Sequence, residues 1–183
     1  MKSVLVSIKP KYCELIASGQ KTVEIRKNRP KIDVPFKVYM YQTRDVLWFY
    51  KILEWLKLYQ RKVIGEFVCD RIEVIDVIEM YGSFWHIHEA DMCLNEKSCL
   101  LNDEIDMYLG NKEGYAWHIS NLVIYGKPKD LDEFEKPCSH DCKNCKYWYS
   151  GSPIDYEPPC CEWEDCVITR PPQSWCYVEE LEE

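Results

Sequence analysis

The stretch Ser18-Gly19-Gln20-Lys21-Thr22-Val23-Glu24-Ile25-Arg26-Lys27 constrains this chain most, because the hydrophobic period changes inside it. Ahead of it, Tyr12, Leu15 and Ile16 recur at helical spacing, and Pro10 suits a first helical turn. Gly19 stands where that helix must end, since glycine takes the left-handed cap conformation without steric cost. Beyond it the period is two: Val23 and Ile25 face one way, and Thr22, Glu24 and Arg26 face the other. The pattern predicts a helix over 11–18, a tight turn and a strand over 22–26. That strand gathers an amine (Lys21), a carboxylate (Glu24) and a guanidinium (Arg26) on one edge.

Further strands follow from the same reasoning. Val4, Val6 and Ile8 alternate and predict a half-buried strand over 4–8. Residues 27–37 combine two prolines with Lys and Arg and read as a basic loop, after which 38–41 returns to strand character. Residues 63–77 are rich in β-branched side chains, with a bend expected at Asp70 and Arg71. Residues 115–125 form a last strand, and Lys127 to Asp130 lead away from it. Asn102 is the expected N-cap of a helix whose buried face holds Leu101, Ile105, Tyr108 and Leu109, closed by Gly110. Residues 45–59 contain no Gly or Pro, and after the start only Lys51, Glu54 and Lys57 are polar. They predict a helical insertion buried around most of its circumference, packed within the chain or forming a homodimer.

Net charge is −8, which opposes non-specific nucleic-acid binding by the whole surface. Its distribution is uneven: residues 1–44 carry ten Lys/Arg against three acids, whereas 128–183 carry five against fourteen. This reads either as a solvated basic face beside an acidic tail, or as a basic surface around the first motif that meets phosphates while the acidic tail limits off-target binding. No apolar run reaches membrane-spanning length and no secretory signal is present, so cytoplasmic residence is expected. In that compartment the 11 cysteines read as thiols or metal ligands rather than disulfides.

The spacing Gly19-x-Lys21-x-x-Glu24-x-Arg26 resembles the signature of the ASCH family, a branch of the PUA-like β-barrels. Val4 to Pro10, Ile64 to Val68 and Tyr115 to Ile119 resemble the family's first and later strands, so the likeness spans residues 1–130. It implies an α+β fold, a PUA-like (ASCH) β-barrel with flanking helices, and binding of RNA or a nucleotide-like ligand in its cleft. Some relatives hydrolyse an N4-acetylated cytidine with a Lys in this turn, a Thr three residues later and a downstream Glu. Lys21 matches that lysine, but Glu24 stands where the Thr is found. If the chain is an enzyme, the resemblance implies a nucleoside amidohydrolase with Lys21 and Glu24 as catalytic residues. Small ASCH chains also resemble phage and prophage accessory proteins, which implies capture of a nucleotide.

On this reading the ligand-binding residues are Lys21, Thr22, Glu24, Arg26, Tyr41, Tyr115 and Trp117. The aromatic members, with Trp85, offer faces on which a base can stack. His118 alternates with Trp117 and reads as a structural histidine. His86 and His88 share one alternation face. Residues 131–183 form a Cys-rich acidic extension with seven cysteines and the double prolines Pro158-Pro159 and Pro171-Pro172. Cys142-Lys143-Asn144-Cys145 has the spacing of a zinc knuckle. Structural zinc held by Cys142, Cys145, Cys166 and Cys176, with Cys138 as substitute, is expected to staple this extension, which has little core of its own.

Overall fold

The strand β1 (Lys2–Ile8) is where two halves of the core meet. Val4, Val6 and Ile8 pack on one face against Phe36, Met40 and Phe67, while Leu5 packs on the other against Tyr39, Val63 and Val178. The expected half-buried strand is thus buried on both faces, because layers form above and below it. The computed structural model describes residues 2–44, 61–80, 83–87, 94–137 and 167–181. The helix expected at 45–59 lies outside them.

After β1 come α1 (Pro10–Ala17), β2 (Val23–Arg26), β3 (Phe36–Gln42), β4 (Val63–Met80) and β5 (Ser83–Ile87). Then follow α2 (Leu94–Ser98), α3 (Asn102–Leu109), β6 (Gly114–Lys129), a 3-10 turn at Leu131–Glu133 and β7 (Trp175–Glu179). The strand order is β2-β6-β4-β3-β1-β7, with β5 paired to β4. β1 and β3 run parallel, and the other pairs are antiparallel. The last described segment therefore returns to the first strand, placing Tyr177 opposite Val4.

The expected closed barrel is not formed: β2 and β7 end the six-stranded path without pairing to each other. The Arg26 side chain occupies the seam and reaches the Ser7 carbonyl of β1 at 2.7 Å. Side-chain bonds stand where ladder bonds would have to form.

The long strands bend through register shifts. On β4 these fall between Val63 and Gly65, Glu66 and Val68, and Cys69 and Ile72 in the pairing with β6, the last at the bend expected from Asp70 and Arg71. At Gly65 a Cβ would collide with the Val123 carbonyl, so only glycine permits this close approach. β4 continues past residue 77 to Met80, and β6 continues past residue 125. Lys127 and Lys129 do not leave the sheet, because Lys129 still pairs with Val63.

α3 begins one residue away from the expected position. Leu101 is the N-cap and Asn102 the first helical residue. The Glu104 carboxylate accepts the Leu101 N–H at 2.9 Å, and the Asn102 side-chain oxygen is already engaged by Asn95 at 2.7 Å. Gly110, at φ 72°, ends α3 as expected. Ile105 and Leu109 pack with Leu94, Val23, Ile25 and Ala116 in a third core cluster.

Candidate functional site

The turn after α1 fixes Lys21. Gly19 takes φ 75°, its N–H donates to Ile16 O, and the Lys21 N–H donates to Leu15 O, each at 2.9 Å. Lys21 is thereby turned inward and is only 2% exposed. Its Nζ donates to Ser98 O at 2.7 Å and lies 3.3 Å from Glu24 Oε2. Ser98 ends α2, so the ammonium neutralises an otherwise orphaned helix-terminal carbonyl. The Nζ also stands 5.2 Å from the centre of the Tyr12 ring.

Glu24 is shared. Its second oxygen, Oε1, lies 2.9 Å from Arg26 Nη2, giving a buried row of cation, carboxylate and cation. Arg26 Nη2 also donates to Ser7 O, and Nη1 lies 3.4 Å from both the carbonyl and the hydroxyl of Ser174. Among the described residues the buried Arg26 Nε–H has no hydrogen-bond partner. β2 thus carries two chemistries: Val23 and Ile25 enter the third core, and Glu24 and Arg26 enter a cleft.

That cleft has a volume of ≈ 560 Å³. Lys21, Glu24 and Arg26 form its floor, Tyr12 and Lys9 one side, and Leu100, Met107 and Tyr108 the other. Gln173 and Ser174 complete its rim. Burial raises the Tyr108 hydroxyl above its ordinary range, with the Arg26 charge opposing this and Glu24 adding to it. Tyr12 is raised as well, first by burial and then by the charges of Glu104 and Glu24. Both phenols are therefore neutral hydrogen-bonding groups at physiological pH.

The structure brings Lys21, Glu24 and Arg26 together and places the other expected residues elsewhere. Thr22 is exposed and outside the cleft lining; its backbone N–H caps α2 through Lys97 O at 2.8 Å. Tyr41 packs in the second core cluster and borders a separate cleft with Arg61 and Asp130. Tyr115 donates to Glu113 at 2.8 Å, away from the Lys21 cleft. Trp117 is fully buried, set edge-on to Phe36 at 5.9 Å. His118 joins Arg71 and Glu73 in another polar cluster, with Nε2 3.0 Å from Glu73. Trp85 and His86 fall on β5, and His88 lies outside the described residues.

Of the expected zinc ligands, Cys176 is on β7 opposite Leu5. Cys138, Cys142, Cys145 and Cys166 lie outside the described residues. Among the described residues no three His, Cys, Asp or Glu side chains converge as a metal site. No helix among them is long and apolar enough to cross a membrane.

The sequence reading missed Ser7, Tyr12, Tyr108, Gln173 and Ser174 as site residues. Ser7 had a usable signal, a hydroxyl within an apolar strand. Gln173 and Ser174 had none, because only the return of β7 brings them to the cleft.

The pattern of a buried Lys–Glu–Arg row between α1 and an open, mixed sheet coincides with a family match: the ASCH domain model matches residues 6–129. The chain belongs to the ASCH domain family. Solved structures agree on the fold. The ASCH protein of Zymomonas mobilis is 18% identical, with a TM-score of 0.54 over 97% of this chain and 88% of that one. A Tyr-to-Phe variant of the same protein gives 18% identity and a TM-score of 0.55 over 98% and 92% of the two chains. A Ser-to-Ala variant gives 17% and 0.54 over 97% and 89%. No curated protein matches the chain.

Proposed function

We propose that this ASCH domain binds RNA or a nucleotide in the cleft floored by Lys21, Glu24 and Arg26. ASCH domains are PUA-like modules generally associated with RNA binding, and the family assignment makes a nucleic-acid ligand the natural reading. The observation that carries it is the buried Lys–Glu–Arg row. Two cations are held beside one carboxylate at the base of a cleft large enough for one nucleotide. A phosphate or a base carbonyl entering the cleft accepts a charge-assisted hydrogen bond from its cationic floor. Tyr12, Met107 and Tyr108 supply apolar walls for the flat part of the ligand.

Hydrolysis of an N-acylated nucleoside is the alternative chemistry for the same cleft. Two features argue for binding instead. The Lys21 amine acts as a donor to both Ser98 O and Glu24, and Glu24 is already shared with Arg26. An amine committed to such partners is not poised to attack a carbonyl or remove a proton. A nucleotide is then captured without turnover.

Isothermal titration with nucleoside monophosphates and a short single-stranded RNA tests the proposal. Lys21→Ala is expected to weaken binding about tenfold, equivalent to roughly 1.4 kcal/mol, and affinity should fall with added salt. Incubation with N4-acetylcytidine should release no cytidine. A folded Lys21→Ala protein with unchanged affinity for every ligand would reject this cleft, and cytidine release would favour the hydrolase.

A further inference from the structure

The rim of the cleft contains one residue whose backbone is fixed on both sides while its side chain is free. Ser7 Oγ donates to Pro172 O at 2.7 Å, and the Ser7 N–H donates to Ser174 O at 2.9 Å. One β1 residue thus grips the tripeptide Pro172-Gln173-Ser174 at both ends. Arg26 Nη1 adds a third tie at Ser174. Gln173 lies between these anchors, is exposed, and lines the cleft. Among the described residues its amide has no hydrogen-bond partner.

We infer that Gln173 is the residue that discriminates between nucleobases in this cleft. The inference rests on the proposed nucleotide-binding function and assigns a role to a residue far from the signature motif. An unpaired amide offers a carbonyl acceptor and N–H donors side by side. That array matches a base edge on which a donor adjoins an acceptor: one orientation of the amide fits the amino-bearing edges of adenine and cytosine, the flipped orientation the carbonyl-bearing edges of uracil and guanine, so the orientation held decides the preference. The charged floor does something else, since Lys21 and Arg26 are suited to phosphate, which every nucleotide carries. Affinity and identity are thus read by two walls. The floor comes from β2 and its preceding turn, and the reader comes from the segment entering β7. Because Ser7 immobilises the backbone on either side, little further ordering entropy is lost when the amide engages a base.

The experiment compares wild type, Gln173→Ala and Gln173→Glu against the four ribonucleoside 5′-monophosphates and against ribose 5-phosphate, which has no base. Gln173 is exposed, so both variants should fold, and their circular dichroism should match wild type. Gln173→Ala should weaken the preferred nucleotide about fivefold, the worth of one hydrogen bond, while ribose 5-phosphate binding stays unchanged. Gln173→Glu keeps the reach but removes the donor, and it should reorder the preference among the four bases. Unchanged rank order in both variants, or an equal loss for ribose 5-phosphate, overturns the role of Gln173. Lys21→Ala separates the two levels. If it weakens all five ligands while Gln173 variants change nothing, only the specificity role fails. If wild type binds none of the five, the nucleotide reading and the role built on it both fail.

Discussion

Arg26 and Ser174 meet across 148 residues of chain, with the guanidinium Nη1 3.4 Å from both the carbonyl and the hydroxyl of the serine. Arg26 ends β2, one edge of the six-stranded path, and Ser174 immediately precedes β7, the other edge. A sheet that does not close through backbone bonds is thus bridged by one side chain. The same side chain forms part of the cleft floor. Seam and site are therefore one structure, and disturbing either should be felt in the other.

Arg26→Ala should accordingly do two things. It leaves Glu24 short of a partner in a buried setting, which costs about 3–5 kcal/mol when one member of a buried pair is removed. It also releases Ser174, so amides of β7 should exchange with solvent faster than those of the β3–β4 ladder. Denaturant unfolding gives the first quantity and hydrogen exchange the second. Equal exchange in β7 for variant and wild type would show that Ser7 and the β1 ladder hold the segment without Arg26.

Glu24→Gln tests the shared carboxylate. The substitution keeps the shape but leaves Lys21 and Arg26 as neighbouring cations without their common counter-charge. A loss of about 3 kcal/mol is expected, since both ions stay buried. Added phosphate should restore part of it by binding between the cations, a linkage visible as a rise in melting temperature greater than that of wild type.

Alkaline stability should depend on Cys69. Burial raises this thiol from 9.0 to about 12, opposed by backbone hydrogen bonding from Arg71 and His118. The unfolded chain loses the proton near pH 9 and the folded chain only near pH 12. Below that window Cys69 imposes no pH dependence. As pH climbs through it the unfolded state is favoured, by about 1.4 kcal/mol per unit at most. Urea unfolding at several alkaline pH values should show this decline, and Cys69→Ala should make it shallower, with the raised thiols of Cys13 and Cys176 sustaining the remainder. The native thiol should also resist alkylation at pH 8.

The zinc proposal for the Cys-rich extension is tested by metal analysis of reduced protein. One zinc per chain is expected if Cys142, Cys145, Cys166 and Cys176 form the site, and Cys142→Ser together with Cys145→Ser should abolish it. Chelation should loosen the extension and leave the β3–β4–β6 ladder protected from exchange. Reduced protein without zinc would remove the staple.

Much of this was written locally. The helix over Pro10–Ala17, the turn at Gly19 and the strand over Val23–Arg26 follow from a change of period and one left-handed glycine, and both signals act over a few residues. The row Lys21, Glu24 and Arg26 was legible for the same reason: its members lie within six residues, and their spacing sets their faces. Whether the sheet closes was not local. The seam depends on where β7 docks and on Arg26 filling the gap, neither of which has a periodic signature. Trp117 shows the same limit from the other side. Alternation assigns it a face, but only packing against Phe36 and Trp175 makes that face core rather than cleft. Gln173 and Ser174 carry no signal in the chain at all. Ser7 brings them to Arg26 through hydrogen bonds spanning most of the sequence, and such contacts form only once β1 and β7 have paired. Sequence determined the charged floor because its residues lie on one strand and the turn just before it; tertiary structure decided the rim because it is assembled from opposite ends of the chain.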